Sequence, residues 1–288
     1  MAKFTYLVFC ANLPPPTMKH SYFTFGFLIF LSACGPAVQL CPEDSGIVPD
    51  IVREGPEPTT PEATEIYEPV PSKVLPGAPA TGFSSAPSDA IVLFDGTNLD
   101  AWHMAQDSTA AKWTLNGDGS MTVANRTGNI QTKENFGSIQ LHLEWASPEE
   151  IIGENQSRSN SGVFIQQRYE VQILDNNDNP TYVNGQVGAL YKQKVPLAMA
   201  SAPSGEWNAY DIVFHAPEFN EKGQKTASGT LTVFHNGVLI QDHVTIEGII
   251  QNIGWPTNEA HGNAPIALQD HGDNSRVRFR NIWLRKLD

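Results

Sequence analysis

The feature that most constrains this chain is an alternation of apolar and polar residues in short runs throughout residues 88–288. Glycine, proline, asparagine and aspartate separate the runs at intervals of roughly 8–12 residues, and a helical period is almost absent. Alternation predicts strands, because successive side chains of a strand point to opposite faces. We therefore predict an all-β fold, an antiparallel β-sandwich of the jelly-roll type.

Two of the turns are predicted to close hairpins. Asn236-Gly237 stands between the runs 231–235 and 238–240, and an Asn-Gly pair is the strongest short hairpin signal. The glycine-rich sequence 116–119 separates 113–115 from 121–123 in the same way. Further strands are predicted over 139–145, 163–174, 207–215, 266–270 and 277–284.

Three predicted strands carry polar side chains on one face and apolar side chains on the other. The polar pairs are His142 with Glu144, Glu170 with Gln172, and Gln269 with His271. If these faces coincide, they form a surface suited to a sugar, whose hydroxyl groups need both donors and acceptors. The alternative is a solvated outer face, the usual location of polar alternating positions.

The spacing Glu170-x-Gln172-x-x-Asp175 matches the E-x-D-x-x-E signature of laminarinase-type glycosidases. A bulge after Ile173 would be needed to bring Asp175 to the face of Glu170. A retaining glycosidase requires two carboxyl groups about 5–5.5 Å apart, and here an amide replaces the central carboxylate. Conventional endoglycosidase chemistry is therefore disfavoured.

Eight sequence segments are distinctive in combination: Leu93-Phe94-Asp95-Gly96-Thr97-Asn98-Leu99, Asn160-Ser161-Gly162-Val163, Tyr169-Glu170-Val171-Gln172-Ile173-Leu174-Asp175, Gly188-Ala189-Leu190-Tyr191, Gly205-Glu206-Trp207-Asn208, His235-Asn236-Gly237, Leu268-Gln269-Asp270-His271-Gly272 and Val277-Arg278-Phe279-Arg280-Asn281-Ile282-Trp283. Together they resemble those of the bacterial 3-keto-disaccharide hydrolase family, and they follow the family order over about 91–287. The resemblance implies a concanavalin A-like jelly roll that acts on carbohydrates whose C3 hydroxyl has been oxidised to a ketone.

The implied chemistry begins with removal of the acidic C2 proton, followed by β-elimination of the group at C1 and rehydration. It requires a base and an electrophile on the ketone oxygen, either a metal ion or hydrogen-bond donors. We expect His271 to be the base. Glu170 with Gln172 is expected to bind either a hard divalent metal, for which His271 is a further ligand, or the sugar hydroxyls. Glu170 and Glu144 are also candidate catalytic carboxylates, and Asp175 is an alternative to them that is otherwise expected to bind substrate.

Other polar and aromatic residues are predicted to bind substrate. Gln269 shares the predicted face of His271, Asn160 lies at the rim, Arg168 flanks the mouth, and Trp255 on an irregular stretch can stack on a sugar. A different class of function stays open, because jelly rolls also host non-catalytic carbohydrate-binding modules.

Residues 1–34 are predicted to be an export signal. They contain no acidic residue, and their apolar run is shorter than the roughly 20 residues of a membrane-spanning helix. The sequence Leu31-Ser32-Ala33-Cys34 resembles a bacterial lipobox, which predicts lipidation of Cys34. The alternative is an ordinary signal peptide cut after Ala33. Because a proline-rich stretch precedes Met18, we expect translation to start at Met18.

Residues 35–87 have the composition of a tether between this signal and the domain 88–288. They hold 11 of the 21 prolines, eight acidic and two basic residues, and few large apolar residues. Such a segment cannot offset the entropy of ordering by burial, so we predict an extended, mostly disordered tether. The protein is then expected to be exported and lipid-anchored in a bacterial cell envelope, at the periplasm or the cell surface.

The charge of the chain excludes one class of partner. With 31 acidic and 18 basic residues the net charge is −13, and no cluster of lysine and arginine occurs. Nucleic-acid binding needs such clusters to contact phosphates. The acidity is compatible with a neutral sugar or a cation.

Overall fold

The structure, a computed structural model, describes residues 46–49, 51, 53, 55–77 and 85–288. Met18, Cys34 and the whole predicted signal segment lie outside these residues, so export and lipid anchoring stay predictions. In the described part of the chain, none of the helices has the length and apolar character needed to cross a membrane.

Within these residues the chain forms seventeen β-strands and three short 3-10 helices. The strands are β1 (Ser72–Lys73), β2 (Ile91–Phe94), β3 (Trp102–Met104), β4 (Thr114–Leu115), β5 (Met121–Thr122), β6 (Ile130–Thr132), β7 (Ile139–Ala146), β8 (Ser161–Ile165), β9 (Tyr169–Ile173), β10 (Ala198–Met199), β11 (Asn208–His215), β12 (Glu218–Phe219), β13 (Lys225–Ala227), β14 (Thr230–His235), β15 (Val238–Thr245), β16 (Ala267–Leu268) and β17 (Arg278–Lys286). The helices are η1 (Pro61–Thr64), η2 (Asn155–Ser157) and η3 (Val183–Gly185).

Two antiparallel sheets form the sandwich. The larger sheet has eight strands in the order β15-β14-β11-β7-β17-β5-β4, with β2 also paired to β17. The smaller sheet has five strands in the order β3-β6-β16-β8-β9. The architecture is the concanavalin A-like jelly roll that the sequence predicts.

Alternating side chains fill the space between the sheets. Leu141, Leu143 and Trp145 of β7 are at most 1% exposed, and Val171 and Ile173 of β9 are fully buried. All five belong to one hydrophobic core. Truncating a residue such as Leu143 to alanine costs about 2–5 kcal/mol in cores of this kind, because a cavity is left behind.

Turn chemistry confirms both predicted hairpins and corrects one predicted strand. Asn236 and Gly237 have φ of 52° and 78° and connect β14 to β15, as a tight hairpin turn of left-handed residues requires. The run 163–174 is not one strand, because Gln166 and Gln167 take φ of 53° and 58° and turn β8 into β9. The Gln166 side chain holds this turn by donating to the Phe136 carbonyl at 2.9 Å.

Residues 55–77, here called the strap, are ordered along the sandwich instead of forming a disordered tether. Strand β1 pairs in parallel with β10, and the Val74 amide donates to the Met199 carbonyl at 2.8 Å. Backbone hydrogen bonds to loops of the domain order the strap without a large apolar contribution, which composition alone does not predict. Residues 35–45 and 78–84 of the predicted tether lie outside the described part.

Candidate active site

A polar row crosses the outer face of the smaller sheet. Glu170 of β9 pairs with Phe164 of β8, Phe164 pairs with Ala267 of β16, and Ala267 pairs in turn with Gln131 of β6. The last strand adds His103, which pairs with Gln131. Because paired residues share a face, Glu170, Gln131 and His103 lie on the side of the sheet away from the core.

A second row lies beside the first on the same face. Gly162 pairs with Gln172, and the backbone amide of Gln269 donates to the Gly162 carbonyl at 3.1 Å. Two predicted faces, those of β9 and of the segment after β16, therefore coincide. The result is a strip with one carboxyl group, three glutamines and one histidine, a set that offers both donors and acceptors.

Glu170 is the most perturbed group on this face. The residue is 4% exposed, and its carboxyl group lies over Gly162, where a β-carbon would come within 2.9 Å of its Cδ. Burial raises the pKa of Glu170 to about 8. A carboxyl group in such surroundings is mostly protonated at neutral pH and can donate a hydrogen bond.

The amide of Gln172 is fixed by a neighbouring loop. Its Nε2 donates to the Gly185 carbonyl and to Gln156 Oε1, both at 3.1 Å, and Asn160 Nδ2 donates to the Gln156 carbonyl at 2.8 Å. The Oε1 atoms of Gln172 and Gln269 are buried with no hydrogen-bond partner among the described residues. A buried acceptor left unpaired is costly, so both atoms are unsatisfied acceptors within the strip.

A tyrosine pair borders Glu170. The loop that holds Gln172 pairs with the outer edge of β9, where the Tyr191 amide donates to the Glu170 carbonyl at 3.0 Å. The hydroxyl groups of Tyr182 and Tyr191 are 2.8 Å apart. Burial is the largest cause that raises the pKa of both phenols. In Tyr182 the hydrogen bond with Tyr191 raises the pKa further, and the charge of Glu170 raises the pKa of both residues. Both tyrosines therefore stay neutral hydrogen-bonding groups at physiological pH.

His271 lies two residues beyond Gln269, in the loop that leaves β16. Its Nδ1 is 3.0 Å from Asp273 Oδ2, and its side chain is 38% exposed. The start of β8 is tied to the same place, because Ser161 Oγ donates to the Gln269 carbonyl at 2.8 Å. The carboxylate of Asp273 favours the tautomer with the proton on Nδ1, which leaves Nε2 as a proton acceptor.

Glu144 does not join this face. The core side chains of β7 and β9 point toward each other between the sheets, so Glu144 and Glu170 lie on opposite outer faces. Glu144 instead accepts from Arg280 Nε at 2.6 Å and from Asn281 Nδ2 at 2.8 Å, and lies 3.7 Å from His142 Nε2. The three predicted polar faces thus coincide only in part.

Asp175 is held within the protein framework. Ile173 and Leu174 are both core residues, so the alternation breaks after Ile173 as a bulge would require. The carboxylate of Asp175 then accepts from Arg158 Nε at 3.2 Å and from Ser204 Oγ at 2.7 Å, with 3% exposure. These bonds tie two loops together.

Arg168 and Trp255 lie at the periphery. Arg168 is in the turn that enters β9, and its Nη1 donates to the Gln166 carbonyl at 2.9 Å. The guanidinium group of Arg53 lies over the ring of Trp255, 4.7 Å from its centroid. The backbone amide of Trp255 donates to Glu57 Oε1 at 2.8 Å. One face of this indole is thus occupied by a residue from before the domain.

A metal site is not built from the described residues. They contain no group of three or more His, Cys, Asp and Glu side chains that could hold an ion. The two predicted ligands supply one carboxyl group, that of Glu170, and one imidazole, that of His271. This donor set does not fit a dedicated divalent cation, which prefers several ionised oxygen ligands, so the metal predicted at Glu170 and His271 enters no step below.

Sequence reasoning missed several residues of the site. Gln131 and His103 lie on short strands whose alternation is only three residues long. Tyr182, Tyr191 and Gln156 come from irregular segments that carry no periodic signal. The short runs Trp102-His103-Met104 and Ile130-Gln131-Thr132 are the signals that could have pointed to His103 and Gln131.

A jelly-roll sandwich with a strip of amide, carboxyl and imidazole groups suits a carbohydrate-active protein, because the strip offers both donors and acceptors to sugar hydroxyl groups. The chain belongs to the family described as the 3-keto-alpha-glucoside-1,2-lyase-like domain, whose model matches residues 89–285. This match confirms the resemblance drawn from the sequence motifs.

Two crystal structures from Parabacteroides distasonis, both described as candidate glycosyl hydrolases, are similar to this chain. One is 50% identical with a TM-score of 0.70, and the match covers 83% of this chain and all of that one. The other is 19% identical with a TM-score of 0.51, covers 69% and 94% of the two chains, and supports the fold alone. No protein of the curated set matches the chain.

The first of these matches extends beyond the family domain. The matched part, 83% of this chain, is longer than the family domain at residues 89–285. Only three residues follow position 285, so the likeness reaches into the segment before residue 89, which includes the strap.

Proposed function

We propose that the protein is an enzyme that cleaves the glycosidic bond of 3-keto-glycosides, 3-keto-disaccharides in particular. The observation that carries this proposal is the buried carboxyl group of Glu170, whose pKa burial raises to about 8, on the same polar face as Gln172 and Gln269. Ordinary glycoside hydrolysis needs a close pair of carboxyl groups, whereas Glu170 is the single carboxyl group in the two polar rows. Elimination beside a ketone needs a base and an electrophile.

In the proposed mechanism His271 Nε2 removes the proton on C2 of the keto sugar. The C2–H electron pair forms a C2=C3 bond, and the ketone oxygen becomes an enolate. The carboxyl group of Glu170 donates a hydrogen bond to this oxygen. A carboxylic acid kept neutral by an apolar site serves the same purpose in ketosteroid isomerase.

Collapse of the enolate completes the elimination. The C3=O bond re-forms, a C1=C2 bond forms, and the bond between C1 and the leaving oxygen breaks. The proton held by His271 passes to the leaving oxygen. If water then adds to C1 of the enone, the net reaction is hydrolysis, and if the enone is released, the reaction is that of a lyase.

Glutamine side chains orient the sugar in this proposal. The unpartnered Oε1 atoms of Gln172 and Gln269 accept from sugar hydroxyl groups, and Asn160 supports Gln172 through Gln156. Fixed acceptors hold the C2 proton near the base, which lowers the entropic part of the barrier.

Turnover of defined substrates tests the proposal. The purified protein is incubated with 3-keto-trehalose or 3-keto-sucrose, and with the same disaccharides unoxidised, while released sugar and enone absorbance are measured. Release from the keto sugars alone supports the proposal. Binding without release would favour a carbohydrate-binding module, and release from the unoxidised sugars would favour a conventional glycosidase.

A further inference from the structure

The strap is anchored to the loop that borders the candidate site. The Val183 amide donates to the Ile66 carbonyl at 2.6 Å, and the Ile66 amide donates to Asn184 Oδ1 at 2.9 Å. Asn184 Nδ2 returns a bond to the Thr64 carbonyl at 2.9 Å. Asn184 is fully buried, so its side chain fixes this part of the strap in both directions.

The same loop carries the tyrosines next to Glu170. Tyr67 of the strap packs edge-on against Tyr182, with ring centroids 6.4 Å apart and planes at 73°. Its hydroxyl group donates to Glu65 Oε2 at 2.7 Å. The strap therefore adds a carboxylate and an aromatic ring to the tyrosine pair.

The charges of Glu65 on the strap and of Glu170 on β9 both affect the pKa of Tyr182 and Tyr191. Besides burial, which is the largest cause, the charges of both carboxyl groups raise the pKa of Tyr182 and of Tyr191. The tyrosine pair thus lies within electrostatic range of Glu170 on β9 and of Glu65 on the strap. Tyr67 is 57% exposed, so part of its ring is open to a ligand.

We infer that Glu65 and Tyr67 bind the leaving-group half of the substrate, and that this half is a sugar ring. The inference rests on the proposed function. A carboxylate next to an exposed aromatic ring suits a sugar, because the carboxylate accepts from hydroxyl groups while the ring covers an apolar sugar face. The strap lies outside the family domain, so these contacts supplement those made by β9 and β16.

The match with the 50% identical crystal structure is longer than the family domain. Its match with this chain continues into the segment before residue 89, and the whole of that protein is covered.

A comparison of two substrates tests the inference in the full chain. The first is 3-keto-trehalose, whose leaving group is a sugar, and the second is methyl 3-keto-α-glucoside, whose leaving group is small. We expect Glu65→Ala and Tyr67→Ala each to lower kcat/KM for the disaccharide by about tenfold or more, and to leave that for the methyl glycoside within about twofold. Val70→Ala is the matched control, because Val70 is an exposed strap residue.

The outcomes separate this inference from the proposed function. Equal losses on both substrates, or no loss on either, would overturn the strap subsite. If the wild-type chain turns over neither substrate, the proposed cleavage fails, and calorimetric binding of unoxidised trehalose decides the subsite. Weaker binding by the strap variants than by wild type and Val70→Ala supports it, whereas equal or absent binding refutes it.

Discussion

The carboxyl group of Glu170 occupies the space above Gly162 that any other residue would fill with its β-carbon. Gly162 lies in β8 and pairs with Gln172. This one glycine makes room for the carboxyl group and lies in the same row as Gln172 and Gln269. The resulting burial of Glu170 raises its pKa to about 8.

Replacing this glycine is expected to displace the carboxyl group. We expect Gly162→Ala to lower turnover of a 3-keto-disaccharide at least about tenfold and to cost roughly 1–3 kcal/mol of unfolding free energy, because the added carbon overpacks the site. Gly117→Ala is the control, since a β-carbon there meets nothing within 4 Å. Steady-state kinetics and urea unfolding measure both effects, and a fully active Gly162→Ala protein would contradict this reading of the site.

The titration of Glu170 predicts how stability changes with pH. Its folded-state pKa of about 8 lies above the ordinary value of 4.5, so the folded protein holds more protons than the unfolded chain between these values. The resulting stability is present below pH 4.5 and is lost as the pH rises toward 8, by at most roughly 1.4 kcal/mol per pH unit. Glu170→Gln removes this dependence. The melting temperature of the variant relative to wild type should therefore be higher at pH 8 than at pH 5.

The same group predicts the alkaline limb of activity. If protonated Glu170 stabilises the enolate, kcat falls above pH 8 in the wild type. Glu170→Gln keeps a donor and should lose this limb, whereas Glu170→Ala should lose about 10²–10³ in kcat. A wild-type profile that stays flat to pH 10 would exclude this role.

His271 and its partner are separable by the size of their effects on kcat. We expect His271→Ala to abolish turnover and Asp273→Asn to lower kcat by about 10²-fold, because the amide no longer favours the reactive tautomer. His215→Ala, at an exposed histidine of β11, is the matched control. Unchanged kcat in His271→Ala would assign the base elsewhere.

The charge network around Glu144 is expected to contribute to stability and not to turnover. Burial disfavours the charged form of His142, but hydrogen bonds with Asp211 and Glu144 outweigh it and raise the pKa of His142 to about 9. This stability is present below pH 6.5 and is lost as the pH rises through 9. Glu144→Gln should cost roughly 1–3 kcal/mol at pH 6 and less at pH 9.5, with kcat unchanged. A large loss of kcat at full stability would return Glu144 to the list of catalytic candidates.

Anchoring of the strap can be measured by proteolysis. Asn184→Ala removes the bonds to Ile66 and Thr64 and should speed trypsin cleavage after Lys73 several-fold, since cleavage requires local opening. Asn116→Ala, in the turn before β5, should not change this rate. Equal cleavage of both variants would show that other contacts hold the strap.

The faces of site residues were predictable on strands whose polar and apolar side chains alternate regularly. The face of Glu170 and Gln172 follows from β9, and that of Gln269 from the end of β16, since side chains of a strand alternate whatever the partner strands are. The location of Glu144 was not predictable. Alternation assigns a residue to a face of its own strand, but it does not say to which sheet that strand belongs.

The sequence by itself determined an all-β sandwich, the family and the polar faces of individual strands, because local periodicity and motif order are properties of neighbouring residues. Only the tertiary structure decided which faces coincide, that Gly162 makes room for a buried Glu170, and that the strap contacts the loop of Tyr182. These relationships join residues far apart in the chain, and burial, which sets the pKa of Glu170, exists only after the sheets and loops have packed.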